Sequence, residues 1–331
     1  MKIALLGSSQ YNFSRVYTDK VVKRLGEYGE LSPLSSLNDI KKNKEFFKDC
    51  QVAFSTWGMI HPTEEEIREY LPKLKVLFYS AGSVQDFARP FLNCGVRVFS
   101  AFAANAVPVA EYTFSQIVLA TKGFYQSSKR FRINFPSAVK FANSTPGNFE
   151  TKIGLVGLGA IGTMVAERLK TLDVEVLAYD PFVSKEKAQS LNVNLTSLED
   201  IFKECDVISN HLANKKELND IFDEKYFSLM KKYAVFINTG RGAQVDEKAL
   251  AKHLIKNPTQ TAVLDVLKRE HNPYINPLFW CPNAIITPHI AGSMGKETQR
   301  MAYYMLEQFE NYVNNRPTEY EVTPEMLNTM A

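Results

Sequence analysis

The chain has 331 residues, 45% of them hydrophobic, which is enough for two ordinary domains with full cores. Its 39 lysines and arginines almost balance 36 aspartates and glutamates, and a formal net charge of +3 leaves no basic footprint for a nucleic acid. No apolar run approaches the roughly 18 residues that a bilayer span needs, so no membrane partner is expected either. The four cysteines (Cys50, Cys94, Cys205, Cys281) lie far apart, with no CxxC pair and no metal-ligand spacing. The opening MKIALLG has no signal-peptide h-region, and the expected location is the reducing cytoplasm, with no metal site.

In chain order, KIALLG (2–7), QVAFSTW (51–57), KVLFYSA (75–81) and VRVFSA (96–101) read as buried parallel strands. Between them KKNKEFFKD (41–49), the most basic run, mixes signs and reads as a solvated helix face. TEEEIREYL (63–71) reads as a helix with Thr63 as N-cap and acidic residues in its first turn. This is one α/β unit. A long helical stretch, PVAEYTFSQIVLATKGFYQSSKRF (108–131), follows it, then a polar, irregular segment, NFPSAVKFANSTPGN (134–148). Alternation then resumes with strands in KIGLVG (152–157), EVLAYD (175–180), DVISNHL (206–212), AVFINTG (234–240), TAVLDV (261–266) and AIITP (284–288). That count suits a doubly wound sheet, and the chain closes with one amphipathic helix over 296–315.

The second unit opens on Gly157-Leu158-Gly159-Ala160-Ile161-Gly162, a GxGxxG between an apolar strand and a helical TMVAERLKTL (163–172). The first glycine permits a tight turn, the second lets the backbone approach a pyrophosphate, and the third lets helix and strand pack closely. Asp180 ends the next strand, where a carboxylate can accept both ribose hydroxyls of NAD and repel the 2′-phosphate of NADP. Three later segments put polar groups just past strand ends, where ligands of doubly wound folds bind. INTGRGAQVDEKAL (237–250) carries Arg241, AVLDVLKRE (262–270) carries Asp265 and Glu270, and NAIITPHIAGS (283–293) carries His289.

With AANAVPVAEYT (103–113), these motifs make the chain resemble the D-isomer-specific 2-hydroxyacid dehydrogenases over nearly its whole length. The resemblance implies an α/β protein of two doubly wound parallel-sheet domains. A flavodoxin-like substrate domain over 1–103 is completed by 291–331, and a Rossmann NAD-binding domain over 104–290 is inserted into it. It also implies hydride transfer between NAD and a 2-keto or D-2-hydroxy acid. Arg241 binds the substrate carboxylate and polarises the carbonyl. His289 is the acid in reduction and the base in oxidation, and Glu270 orients His289 and favours its protonated form. Asp265 holds the nicotinamide carboxamide; His211, Ala213, Thr239, Gly240 and Ala291 complete the cofactor wall. Backbone amides of Ala81, Gly82 and Ser83, in YSAGSVQD (79–86), face the carboxylate, and the two domains close on the substrate.

Some positions depart from the family pattern. AGSVQD lacks an aspartate two residues after its glycine, HLAN replaces His-Leu-Pro, and KREH replaces an acidic stretch ending Glu-Pro. Lys215 and Lys216 leave an opening for NADP. A non-catalytic NAD(H)-responsive binding protein of this fold, akin to the C-terminal-binding corepressors, and a phosphite-type dehydrogenase stay as alternatives. Formate enzymes, with glutamine in the role of Glu270, fit poorly. Among the other histidines, His61 reads as a turn residue, His253 as solvated and His271 as an exposed rival base. The apolar 108–131 stretch and the segment after it point to a homodimer formed through the cofactor domain.

Overall fold

The computed structural model describes residues 1–328 and divides into two compact units: Met1–Ala106 with the chain from Ser293 onward, and Val107–Gly292. In the first unit β1 (Lys2–Leu6), β2 (Glu30–Ser35), β3 (Cys50–Ser55), β4 (Val76–Tyr79) and β5 (Arg97–Ser100) run parallel in the order β2-β1-β3-β4-β5. This is the flavodoxin-like winding. Strand β2 escapes sequence inspection because ELSPLS carries a proline, which a sheet accepts only at its edge. There the Ser32 hydroxyl accepts the Leu5 amide at 2.9 Å, a side chain standing in for part of the ladder.

Phe54, Phe78 and Phe99 occupy paired positions on β3, β4 and β5, so their rings stack across the sheet at 5.2 and 5.0 Å. Phe309, from the helix Glu297–Val313, sets its edge on Phe54 and Phe78 at 5.2 and 5.7 Å. The returning chain then adds Glu321–Val322 antiparallel to β5. Thr63 caps Glu64–Tyr70 through a reciprocal box, its hydroxyl taking the Glu66 amide and the Glu66 carboxylate taking its own. The 41–49 run is two short helices, Leu37–Lys42 and Lys44–Phe47, with Phe47 buried beneath a charged face.

The second unit has β6 (Phe149–Val156), β7 (Asp173–Tyr179), β8 (Asn194–Leu195), β9 (Val207–Asn210), β10 (Val235–Asn238), β11 (Thr261–Leu264) and β12 (Ala284–Ile286). All are parallel, in the order β8-β7-β6-β9-β10-β11-β12. This is a doubly wound Rossmann sheet whose order reverses between β6 and β9. Two expectations are corrected here. The helix expected over 108–131 is two helices, Phe102–Thr121 and Phe124–Phe131, parted at Gly123, whose φ of 62° ends the first run. Pro108 lies inside the first of these rather than at its start. The segment expected to be irregular contains the helix Phe135–Ala142: Asn134 accepts the Ser137 amide at 2.8 Å, Pro136 suits the first turn, and Ala138 and Phe141 are buried.

Because Phe309 is fully buried against β3 and β4 of the first unit, Phe309→Ala should cost about 3–5 kcal/mol in urea unfolding of the full chain. A loss under about 1 kcal/mol would mean that the C-terminal helix does not complete that core.

Candidate active site

The carboxyl end of the second unit's sheet gathers most of the polar residues singled out above. After β6 the chain turns at Gly157 with φ of 99°, and a Cβ there would lie 2.8 Å from the His211 carbonyl oxygen. A Cβ at Gly162 would fall 2.0 Å from the Gly157 oxygen. By contrast a Cβ at Gly159 would meet nothing within 4 Å, so that face of the turn is open. Helix Ala160–Leu169 starts there with Gly159 as N-cap, no side-chain cap and no acid in its first turn. Its leading amides, including those of Ala160 and Ile161, are those that lack intrahelical acceptors. An open glycine face over uncapped helix amides suits a pyrophosphate.

Asp180 follows β7 and ties this turn to the next: Oδ2 accepts the Leu158 amide at 2.7 Å, while Oδ1 accepts those of Phe182 and Val183. His211 follows β9. Its Nε2 contacts the Ser209 hydroxyl at 3.0 Å, and its Nδ1, shielded from solvent, has no hydrogen-bond partner among the described residues. Burial pushes its pKa down to about 4, so the ring is neutral at ordinary pH. An orphaned ring nitrogen beside the glycine turn is a further sign of a site built for a polar group.

Strands β10, β11 and β12 are neighbours, and each delivers one of the remaining groups from its carboxyl end. Arg241 comes after β10, beyond Thr239, whose hydroxyl meets that of Thr113 at 3.0 Å, and Gly240. Its Nη1 donates to the Gly240 carbonyl at 2.9 Å. No carboxylate lies within ion-pair distance of its guanidinium among the described residues. Burial lowers its pKa and the field of Glu270 opposes that shift. Past β11 comes Asp265, only 1% exposed, which accepts the Thr287 hydroxyl at 2.6 Å and the amides of Ile290 and Ala291 at 2.8 Å. Its backbone oxygen takes the His289 amide at 3.0 Å.

Asp265 thereby grips the loop that carries His289, whose φ of 55° is left-handed and strained for a residue with a Cβ. The strain persists because four hydrogen bonds around it overdetermine the loop. On that loop His289 Nδ1 faces Glu270, at 3.1 and 3.0 Å from the two carboxylate oxygens. A bidentate contact on Nδ1 leaves Nε2 as the free nitrogen.

In the first unit, one hydroxyl, that of Ser100, meets the carbonyls of Ala81 and Gly82 at 3.0 and 2.6 Å. The amides of Ala81, Gly82 and Ser83 have no protein acceptor among the described residues. His61 and His271 are exposed. His253 was expected to be solvated and is instead half-buried, its Nε2 2.6 Å from the Gln260 amide oxygen. Sequence inspection also missed the buried amides of Asn210, Asn238 and Gln244. The available signal was a polar amide interrupting otherwise apolar strand ends, as in DVISN and VFIN.

Residues 115–291 match the family model described as D-isomer specific 2-hydroxyacid dehydrogenase, NAD binding domain, and the chain belongs to that family. It is 32% identical over 245 residues to a glyoxylate reductase of Thermofilum pendens, covering 72% of each chain. It is 31% identical over 228 residues to a D-3-phosphoglycerate dehydrogenase of Archaeoglobus fulgidus, covering 69% of this chain and 43% of that one. The chain thus spans about half the length of the phosphoglycerate dehydrogenases it matches. A solved NAD-complexed D-isomer specific 2-hydroxyacid dehydrogenase from Lactobacillus delbrueckii ssp. bulgaricus shares the fold, with a TM-score of 0.76 at 20% identity over 98% of this chain and 100% of that one. The second unit is therefore an NAD-binding domain, and the open glycine turn fits that cofactor.

Neutral His211 has a pH consequence. The unfolded chain takes up this proton near pH 6.5 and the folded one only near pH 4, so the stability it contributes is complete above 6.5 and is lost as pH falls towards 4. His211→Gln should therefore show a smaller fall in Tm than the parent between about pH 7 and about pH 4.5. Parallel Tm curves would show that the ring titrates as if exposed.

Proposed function

We propose that this chain is an NAD-dependent dehydrogenase that interconverts a 2-keto acid and a D-2-hydroxy acid. The observation that carries this is a half-buried Arg241 with no carboxylate at ion-pair distance among the described residues, one strand away from Asp265 and two from His289. A shielded cation without an internal anion is a site for a substrate anion, and the planar fork of arginine suits a carboxylate. Glu270 is committed to His289, so Arg241 remains free for a ligand.

The bound dinucleotide supplies the hydride. Arg241 holds the keto-acid carboxylate and draws charge onto the carbonyl oxygen, and His289 gives that oxygen a proton from Nε2 while Glu270 fixes the ring through Nδ1. Asp265 keeps His289 in its strained place. Asp180 disfavours a 2′-phosphate and gives NAD the preference over NADP. From the first unit, the unengaged amides of Ala81, Gly82 and Ser83 are donors of the type a carboxylate takes. Four free cysteines, three of them buried, accord with a cytoplasmic protein.

His289→Ala should lower kcat by ~10²–10⁴ on any accepted keto acid (glyoxylate, hydroxypyruvate or pyruvate with NADH) while NADH binding barely changes. Arg241→Lys should raise the keto-acid KM and lower kcat together, since the charge stays but the fork is lost. Near-parental turnover by His289→Ala on every accepted acid would remove His289 from the chemistry and leave exposed His271 as the next base to test.

We further propose a homodimer formed through the second unit. Phe131, Phe135 and Val139, on the two helices that follow Gly123, and Ile133 in the turn between them are large apolar side chains left exposed, with the Phe131 and Phe135 rings in contact. Exposed apolar side chains grouped in this way suit a protein–protein contact. Light scattering at micromolar concentration should give twice the chain mass; a monomer mass would refute the assembly.

A further inference from the structure

Three neutral amides lie side by side in the core under the Arg241 turn. Asn210 and Asn238 are fully buried at paired positions ending β9 and β10, and Gln244 is 1% exposed. Asn210 Nδ2 donates to Asn238 Oδ1 at 3.0 Å and to Gln244 Oε1 at 2.6 Å. Every other polar atom of the trio grips backbone. Asn238 Oδ1 accepts the Gly240 amide at 3.0 Å and its Nδ2 donates to the Arg241 carbonyl at 3.1 Å, so both flanks of the arginine turn are held. Asn210 Oδ1 accepts the Leu212 amide at 3.1 Å, and Gln244 Nε2 donates to the carbonyls of Ala213 at 2.8 Å and Leu212 at 3.4 Å.

Burying three amides is costly unless each atom finds a partner, and here each does. Leucine at 210 and 244 would fill similar space without that requirement, so stability alone does not call for amides there. What leucines could not do is hold two separate backbone segments. Residue 213 is alanine, so no proline ring fixes its φ and the segment depends on other restraints. We propose that Asn210 and Gln244 are positioning residues: they lock the 211–213 backbone, on the cofactor side, to the turn that aims Arg241 at the substrate carboxylate.

This inference rests on the function proposed above, and the parent protein tests that function first, by its own NADH binding and keto-acid reduction. The inference is read from ratios to the parent. NADH binding (by fluorescence titration), keto-acid KM, kcat and Tm would be measured for the parent, Asn210→Leu, Gln244→Leu and the double variant. Each single change strands the partner's polar atoms and should lower Tm, whereas the double change should recover much of the loss. Despite that recovery, the double variant should bind NADH about tenfold more weakly and show a keto-acid KM raised about tenfold, with kcat within about threefold of the parent. Parent-like NADH affinity and KM in the double variant would reduce the trio to core packing and overturn the proposal. A fall in kcat alone would overturn it as well. Should the double variant not fold, Gln244→Met keeps the side-chain length without the hydrogen bonds. It should show the same paired rise in NADH Kd and KM, and parental values there would equally overturn the proposal.

Discussion

The buried carboxylate of Asp265 is the contact on which the site of the second unit depends. A charge removed from water must be paid for by hydrogen bonds, and this one receives three, from a hydroxyl and two consecutive backbone amides. Those amides belong to the loop that holds His289 in a left-handed conformation, so the energy of solvating one anion is what keeps a strained histidine in place. Thr287 extends the grip, since its hydroxyl also meets that of Tyr112 at 3.1 Å and so ties the loop to the helix Phe102–Thr121.

Around that anchor the charges are divided so that none neutralises another's task. Glu270 contacts His289 and leaves Arg241 alone at ion-pair range; Asp265 is saturated by the protein's own donors. Arg241 is left as the shielded cation, its turn held by uncharged amides that do not compete for it. Neutral scaffolding around a functional charge has a physical advantage: an amide grips backbone through directed hydrogen bonds yet adds little field of its own. His211 follows the same pattern, since burial keeps it uncharged beside a turn suited to phosphates.

The first unit is organised by shape rather than by charge. Three phenylalanines in register across β3, β4 and β5 present a flat aromatic row, and a helix from the far end of the chain closes it with Phe309. The unit is therefore complete only when residues separated by some two hundred positions meet. Tyr17 adds a buried polar link between strand ends, its hydroxyl 3.0 Å from the Ser55 carbonyl and 2.7 Å from the Ser80 hydroxyl, with burial raising its pKa.

The sequence by itself determined the two α/β units, the glycine turn between β6 and its helix, and the three strand ends that carry Arg241, Glu270 and His289. These were legible because buried parallel strands are short apolar runs, and because a tight turn or a strand-end polar residue is a local event. It did not show edge strand β2, where a proline and serines mask a pattern that only neighbours can validate, nor the helix Phe135–Ala142, whose cap and proline were outweighed by polar composition. Nor could it show that Asn210, Asn238 and Gln244 meet, or that Asp265 is spent on the His289 loop. Hydrogen bonds between residues some thirty positions apart depend on strand register, and register is settled only when the whole sheet assembles. Local chemistry marked which residues could act; tertiary packing decided which of them are held, and by what.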